Sequence, residues 1–145
     1  MTGKQPKRKQ REGVDSYGRT PLHYAAADSK LDEVARLLAL GANVNAQDDN
    51  GWSPLHFAAQ AASSECTAEL LCAGADPSLQ DSIGNTALSR AVFSSSGDGS
   101  VIQLLRQAGA DSFAKNKHGV SPVSLARTIT NYDVAQFFSD LGELK

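Results

Sequence analysis

Two histidines are the first candidates for catalytic or metal-binding residues. His23 and His56 lie 33 residues apart, and each ends a Thr/Ser-Pro-Leu-His tetrapeptide. Histidine serves as a general base or a metal ligand only when a nucleophile or further ligands lie nearby. The sequence has no HExxH, paired CxxC, EF-hand or nucleophile-elbow pattern, and residues 97–99 lack the Lys and Ser/Thr of a phosphate loop. We therefore expect no enzyme activity, no cofactor and no metal.

The two cysteines and the third histidine give no site either. Cys66 and Cys72 are six residues apart, which on a helix places them about 120° from a shared face. They form a poor disulfide pair and are too few for a zinc site. We expect reduced thiols in a cytoplasmic protein, and His118 at the surface in a turn.

Charge divides the chain into two parts. Residues 1–14 carry five Lys or Arg and one Glu, whereas the net charge of the whole chain is −2, so the remainder is about −6. This pattern predicts a disordered basic arm, residues 1–14, on an acidic domain, residues 15–145. The basic run 4–11 is open to three interpretations: a solvated tail, a nuclear localisation signal or a contact with nucleic acid. No aromatic residue interrupts it, so base stacking is unsupported.

The rest of the chain is an internal repeat. Gly18, Gly51, Gly84 and Gly119 are spaced by 33, 33 and 35 residues, and each is followed by a related tetrapeptide. Ser or Thr before Pro predicts a helix N-cap with proline in the first turn. A second helix ends in Leu-Leu, and a Gly-Ala step after it predicts a left-handed glycine cap, at Gly41, Gly74 and Gly109.

With these motifs the chain resembles the ankyrin repeat family, whose period is 33 residues and whose signature is T-P-L-H-x-A. The resemblance implies an all-α ankyrin-repeat solenoid of four helix–turn–helix repeats joined by β-turn or hairpin loops, at residues 15–47, 48–80, 81–115 and 116–145. It also implies that His23 and His56 are structural, with rings that bond to backbone and tie adjacent repeats. No apolar run is long enough to span a bilayer, so we expect no membrane contact.

Departures from the repeat pattern mark three places. Ser29, Ala62 and Thr130 replace the usual glycine between the two helices, so each turn is either left-handed at some cost or reshaped. Residues 94–100 form a lengthened, flexible-looking loop, which is either a binding loop or a tolerated insertion. In the last helix, residues 132–141, the side chains expected to face the core are Val134, Phe137, Phe138 and Leu141.

The resemblance places partner binding on the turn tips and first helices, because the other helix faces are used in stacking. Trp52 stands out as an aromatic beside acidic residues, which is typical of a hot spot for a basic partner; the alternative is that it packs along the neighbouring turn. The candidate partner-binding residues are Tyr17, Arg19, Asp28, Asp48, Asp49, Asn50, Trp52, Gln60, Ile83, Asn85, Phe93, Lys117 and His118.

The sequence thus predicts a monomeric, cytoplasmic protein-binding module that occludes or sequesters a basic partner protein. The chain is similar to small bacterial stand-alone ankyrin proteins of the toxin-immunity type, and an acidic domain suits a basic toxin. The alternative is a nuclear or cytoplasmic regulatory scaffold that uses the basic arm for import or for contact with nucleic acid. We expect no contact with nucleic acid except through residues 4–11.

Overall fold

A computed structural model describes residues 13–141, which form a stack of helix pairs without any strand. The first helix of each pair packs on its own second helix and on the first helix of the next pair. This arrangement confirms the predicted all-α solenoid. Of the predicted basic arm, residues 1–12 lie outside the described residues. The helices are α1 (Pro21–Ala27), α2 (Leu31–Ala39), α3 (Pro54–Gln60), α4 (Ser64–Cys72), α5 (Ala87–Ser94), α6 (Ser100–Gln107), α7 (Pro122–Thr128) and a C-terminal 3-10 helix (Val134–Leu141).

Helices α3 and α7 begin as the capping pattern predicts. Ser53 precedes Pro54, and its hydroxyl accepts a hydrogen bond from the His56 backbone N–H at 3.3 Å. Ser121 caps α7 in the same way, through the N–H of Ser124 at 3.1 Å. These bonds satisfy N–H groups that the helix itself cannot, so α3 and α7 each start at a fixed residue. Thr86, at the same position before α5, makes no such side-chain bond.

The second helices end at the predicted glycines, with φ of 89° at Gly41, 94° at Gly74 and 93° at Gly109. The N–H after the first of these, in Ala42, donates to the carbonyl of Leu37 at 3.1 Å, which closes the last turn. The chain therefore leaves each second helix in the same direction.

One buried core runs through the stack. The third residue of each tetrapeptide, Leu22, Leu55, Leu88 and Val123, is buried. Most alanines that follow in the first helices are also buried, namely Ala25, Ala26, Ala58, Ala59, Ala91 and Ala126. Small alanines let neighbouring helices approach closely, and each buried leucine contributes about 2 kcal/mol. The second helices complete the core with Val34, Leu70 and Leu105.

The turns between paired helices take both predicted forms. Ser29 has φ of 56° and Ala62 has φ of 55°, so these two non-glycine residues adopt the left-handed conformation. Thr130 does not, because α7 ends in extended backbone at Ile129 and the turn is reshaped. In the third pair the loop has five residues, 95–99, against three in the first two pairs, which confirms a lengthened loop.

The C-terminal segment corrects one expectation about helix type. It is a 3-10 helix with a break at Phe138, where φ is −121°, rather than an amphipathic α-helix. Val134 and Phe138 are buried, and Phe137 and Leu141 are half-buried against the core, so the predicted inward face is confirmed. A 3-10 helix has poorer hydrogen-bond geometry than an α-helix, so side-chain contacts with the rest of the domain help to hold this short terminal segment.

Arg106 of α6 supplies those contacts. Its guanidinium donates to the Phe137 carbonyl at 2.7 Å and to both carboxylate oxygens of Asp140 at 2.8 and 2.7 Å. The lengthened loop packs on the same segment, because a Cβ on Gly99 would meet the Phe137 ring at 2.3 Å. The insertion therefore supports the C-terminal segment, a role that neither of its two sequence interpretations included.

Candidate interaction surface

Every turn before a first helix is built on one carboxylate or amide. Asp48 Oδ1 accepts from the backbone N–H groups two and four residues on, those of Asn50 at 2.9 Å and Trp52 at 2.8 Å. Asp15, Asp81 and Asn116 make the same pair of bonds in their own turns. This local bonding is the usual reason for Asp or Asn in turns, and it fixes the shape of each tip.

Neighbouring tips are joined to each other through the backbone. Asp49 N–H donates to the Tyr17 carbonyl at 2.9 Å, Ser82 N–H to Asn50 at 2.9 Å, and Lys117 N–H to Ile83 at 2.8 Å. One bond therefore links each tip to the next, so the tips form a continuous row.

The two histidines tie adjacent helix pairs, which supports the role implied by the resemblance. His23 Nδ1 accepts from the Thr20 N–H at 2.9 Å, so Nε2 carries the proton and donates to the Trp52 carbonyl at 2.9 Å. His56 repeats this geometry between Ser53 and Asn85. Burial lowers the pKa of both imidazoles, because a buried ring resists taking up a charge.

Arg19 joins the first tip to the first helices. Its Nε donates to the buried Asp48 carboxylate at 3.2 Å. Its guanidinium carbon lies 5.2 Å from the ring centres of Tyr17 and Phe57 and 5.9 Å from that of Tyr24. Three aromatic rings therefore surround one arginine, which is a favourable cation–π arrangement.

Arg90 of α5 repeats this arrangement one unit later. Its guanidinium carbon lies 4.3 Å from the Trp52 ring centre, and Nη2 donates to Asp81 at 2.7 Å. Burial alone raises the pKa of Asp81, but the bonds from Arg90 and two backbone N–H groups lower it on balance. Trp52 in turn lies 4.9 Å from Phe57 between ring centres. We call the connected set the stacking ladder: Tyr17, Tyr24, Arg19, Phe57, Trp52 and Arg90.

The structure divides the candidate partner-binding residues into two groups. Tyr17, Ile83 and Phe93 are large and exposed, with exposed fractions of 61%, 41% and 68%. The polar candidates Asp28, Asp49, Asn50, Gln60, Lys117 and His118 are also exposed, whereas Arg19 is half-buried in the stacking ladder.

Three candidates have structural contacts that the sequence did not indicate. Asp48 is buried, so it presents no carboxylate to solvent; its oxygens serve the turn and Arg19. Asn85 is half-buried, with its side-chain oxygen accepting from Asn116 at 3.0 Å. Trp52 is half-buried between Phe57 and Arg90, which favours the packing interpretation over an exposed aromatic.

Sequence reasoning missed three members of this surface, Tyr24, Phe57 and Arg90. They occupy equivalent positions, each directly after its tetrapeptide. This position varies in type from Tyr to Phe to Arg while its neighbours repeat, and such variation within a repeat was an available signal.

The negative charge is concentrated in one unit. Residues 48–80 contain five Asp or Glu and no Lys or Arg. Asp48 is paired with Arg19, whereas Asp49 lies at the exposed tip and Glu65 on the exposed surface of α4. The second unit therefore carries most of the excess negative charge of residues 15–145.

Among residues 13–141, no helix is long and apolar enough to cross a bilayer, and no group of three potential metal ligands comes together. The family described as ankyrin repeats, three copies, matches residues 4–81 and 26–116. No curated protein matches the chain significantly.

Proposed function

The chain belongs to the ankyrin repeat family, and on that premise we propose that it binds a partner protein through the stacking ladder and the exposed side chains around it. The observation that carries the proposal is the exposure of Tyr17, Tyr24, Ile83 and Phe93 along one row of tips and first helices. Large exposed aromatic side chains on a rigid support are typical of binding hot spots. We further propose that the fourth helix pair is a fourth repeat that extends this surface.

The stacking ladder supports the proposal through preorganisation. Arg19 and Arg90 are each fixed by a buried carboxylate and an aromatic face, so Tyr17 and Trp52 lose little freedom when a partner docks. Binding is tighter when the side chains are already ordered, because less conformational entropy is lost. Trp52 contributes through its remaining exposed edge.

We also propose that the partner is basic and that binding occludes it, with the chain acting as a monomer in the cytoplasm. The charge of residues 48–80 supports a basic partner, since opposite potentials speed association and favour the matching partner. A basic toxin neutralised by this chain as an immunity protein fits these features. A toxin gene beside the gene for this chain would strengthen that assignment, and its absence would weaken it.

The experiment compares three immobilised proteins in capture from the native source. Tyr17→Ser combined with Phe93→Ser removes two exposed anchors. Leu40→Ser is the matched control, because Leu40 is 71% exposed but ends α2, away from the tips. A partner retained by wild type and control, and lost with the double variant, is the expected result. Equal capture by all three proteins would contradict the proposal.

Salt and deletion refine the partner class. A basic partner should bind at least tenfold more weakly when the ionic strength rises from 50 to 500 mM, roughly, because screening removes the attraction. Removing residues 1–12 should leave capture unchanged. Loss of capture with the repeats intact would favour the scaffold alternative, in which the basic arm makes the contact.

A further inference from the structure

The tip of the second unit contains the dipeptide Asn50-Gly51. At the equivalent place in the other three tips, the glycine follows Tyr17, Ile83 or His118. When asparagine precedes glycine, the backbone nitrogen reaches the side-chain amide carbon most easily, because glycine has no side chain to hinder the approach and a freer backbone. The second tip therefore holds a reactive pair that the other tips lack.

The Asn50 side chain is available for this reaction. It is exposed, and it forms no hydrogen bond with any of residues 13–141. The Asp98-Gly99 pair in the lengthened loop differs, since Asp98 Oδ1 accepts from the Ser100 N–H at 2.9 Å and from the hydroxyl of the same serine at 2.6 Å. Gly99 is also buried. Of these two pairs, only the one in the second tip presents an unbonded side chain at the surface.

The fold holds the backbone on both sides of the bond between these two residues. The Gly51 N–H donates to the Asp48 carbonyl at 2.9 Å, and the Asn50 carbonyl accepts from the Ser82 N–H at 2.9 Å. Gly51 is packed so closely that a Cβ on it would lie 2.8 Å from the Asp81 Cα. The Gly51 nitrogen must leave its bond to Asp48 before it can attack, so the reaction requires local opening of the tip.

From these observations we propose that Asn50 is a deamidation site whose rate is set by local opening of the second tip. The Gly51 nitrogen attacks Asn50 Cγ and gives up its proton, and the side-chain nitrogen leaves as ammonia, which closes a five-membered succinimide ring. Water then opens the ring at one of its two carbonyls. Opening at Cγ gives aspartate, and opening at the former backbone carbonyl gives isoaspartate. The net reaction consumes one water and releases one ammonia, so it needs no other reactant.

The two products change the tip in different ways. Aspartate keeps the backbone and adds one negative charge at residue 50. Isoaspartate continues the chain through Cβ and Cγ, so the stretch between Asp48 and Gly51 gains one backbone atom. The carbonyl that accepts from the Ser82 N–H then leaves the backbone and becomes a free carboxylate. Isoaspartate therefore breaks the hydrogen bond that joins the second tip to the third, and the bond that joins the third tip to the fourth is unaffected.

The chemistry is tested on the full-length protein without any partner. After incubation in mildly alkaline buffer, peptide mass spectrometry should find Asn50 converted to the acid at least tenfold faster than any other asparagine, with isoaspartate among the products. Asn50→Gln is the control, because a glutamine side chain has to close a six-membered ring and should stay unconverted. Conversion spread evenly over the asparagines would overturn the proposal.

Two matched variants test whether opening of the second tip sets the rate. The Gln47 amide donates to the Gly51 carbonyl at 2.9 Å. In the third tip, the Gln80 amide donates to the Gly84 carbonyl at 3.1 Å. Gln47→Ala should raise the conversion rate of Asn50 about fivefold, the factor expected for one lost hydrogen bond, whereas Gln80→Ala should leave the rate unchanged. Equal rates in the two variants would show that the second tip does not control the reaction, and would overturn the proposal.

Amide hydrogen exchange distinguishes the two products. In the isoaspartate form the Ser82 amide should exchange at least tenfold faster, and the Lys117 amide should keep its rate. Asn50→Asp represents the other product and should leave both rates unchanged. An unchanged Ser82 rate in the isoaspartate form would contradict the assigned effect on the tips. Only the effect on binding rests on the proposed function: capture of the partner should fall for the isoaspartate form and not for Asn50→Asp. A protein that converts Asn50 as expected but captures no partner would contradict the proposed function alone, so the two failures are distinguishable.

Discussion

The junction between the second and third helix pairs and the junction between the third and fourth share one backbone design but use different side chains. In the former, His56 reaches from α3 to the Asn85 carbonyl, and Arg90 reaches back over Trp52. In the latter, Ser89 replaces the histidine and is too short to span the gap, while Arg106 holds the C-terminal segment from the other side of the stack. The buried His56 ring joins the second and third pairs inside the stack. The Arg106 side chain, which we call the clamp, joins the third pair to the C-terminal segment at the edge of the stack.

The largest effect should come from removing the histidine. His56→Ala leaves the Ser53 N–H and the Asn85 carbonyl without their partner and opens a cavity, so the free energy of unfolding should fall by about 4 kcal/mol. Ser89→Ala, at the equivalent position, should cost less than about 1 kcal/mol. Urea denaturation measures both, and equal losses would remove the distinction between the junctions.

The glycines of the turns provide a second comparison. Gly51 and Gly119 have φ of 79° and 75°, but a Cβ on Gly51 would lie 2.8 Å from the Asp81 Cα, and one on Gly119 would meet nothing. Gly51→Ala should therefore cost about 3 kcal/mol, and Gly119→Ala about 1 kcal/mol from backbone strain alone. If thermal unfolding shows a larger loss of stability for Gly119→Ala than for Gly51→Ala, the close packing described at Gly51 is contradicted.

Arg106→Ala tests the clamp. It should lower global stability by about 1–2 kcal/mol, because charge-assisted bonds to the Phe137 carbonyl and Asp140 are lost. Hydrogen exchange should increase mainly in residues 134–141. Arg36→Ala, which breaks the exposed pair with Glu33, should leave both the stability and that exchange nearly unaltered.

The smallest expected effect is that of pH. Because burial lowers the pKa of His23 and His56, the unfolded chain takes up protons first as the pH falls below about 6.5. Stability should therefore be full above that pH and decline between about pH 6.5 and 5, where the carboxylates are still charged. A double His→Gln variant should be less stable overall but show a flatter profile in this range.

The repeat period allowed the fold to be predicted from sequence. Helix caps at Ser/Thr-Pro and Gly-Ala depend only on residues that are close in the sequence. Local sequence therefore indicates where the helices begin and end. The turns at Ser29 and Ala62 are left-handed, which is one of the two forms that the missing glycines left open.

The surface was less predictable, because its contacts cross from one unit to another. The burial of Asp48 depends on Arg19, which is 29 residues earlier, and the packing of Trp52 depends on Arg90, which is 38 residues later. The recurrence of Asp15, Asp48, Asp81 and Asn116 in phase was the available sign that Asp48 is structural. The last helix is held in place by contacts with Arg106 and Gly99, and local periodicity carries no information about either contact.

The row of backbone hydrogen bonds between tips fixes the spacing of the side chains that contact a docked partner. Since Asp49, Ser82 and Lys117 are joined to the preceding tips by their N–H groups, the interval between successive tip side chains is independent of what those side chains are. The binding specificity of the scaffold can therefore be changed. Residues 17, 50, 83 and 118 can be randomised together in a display library, and binders with new specificities can be selected at a fixed spacing of these residues. Other residues determine the folding of the stack.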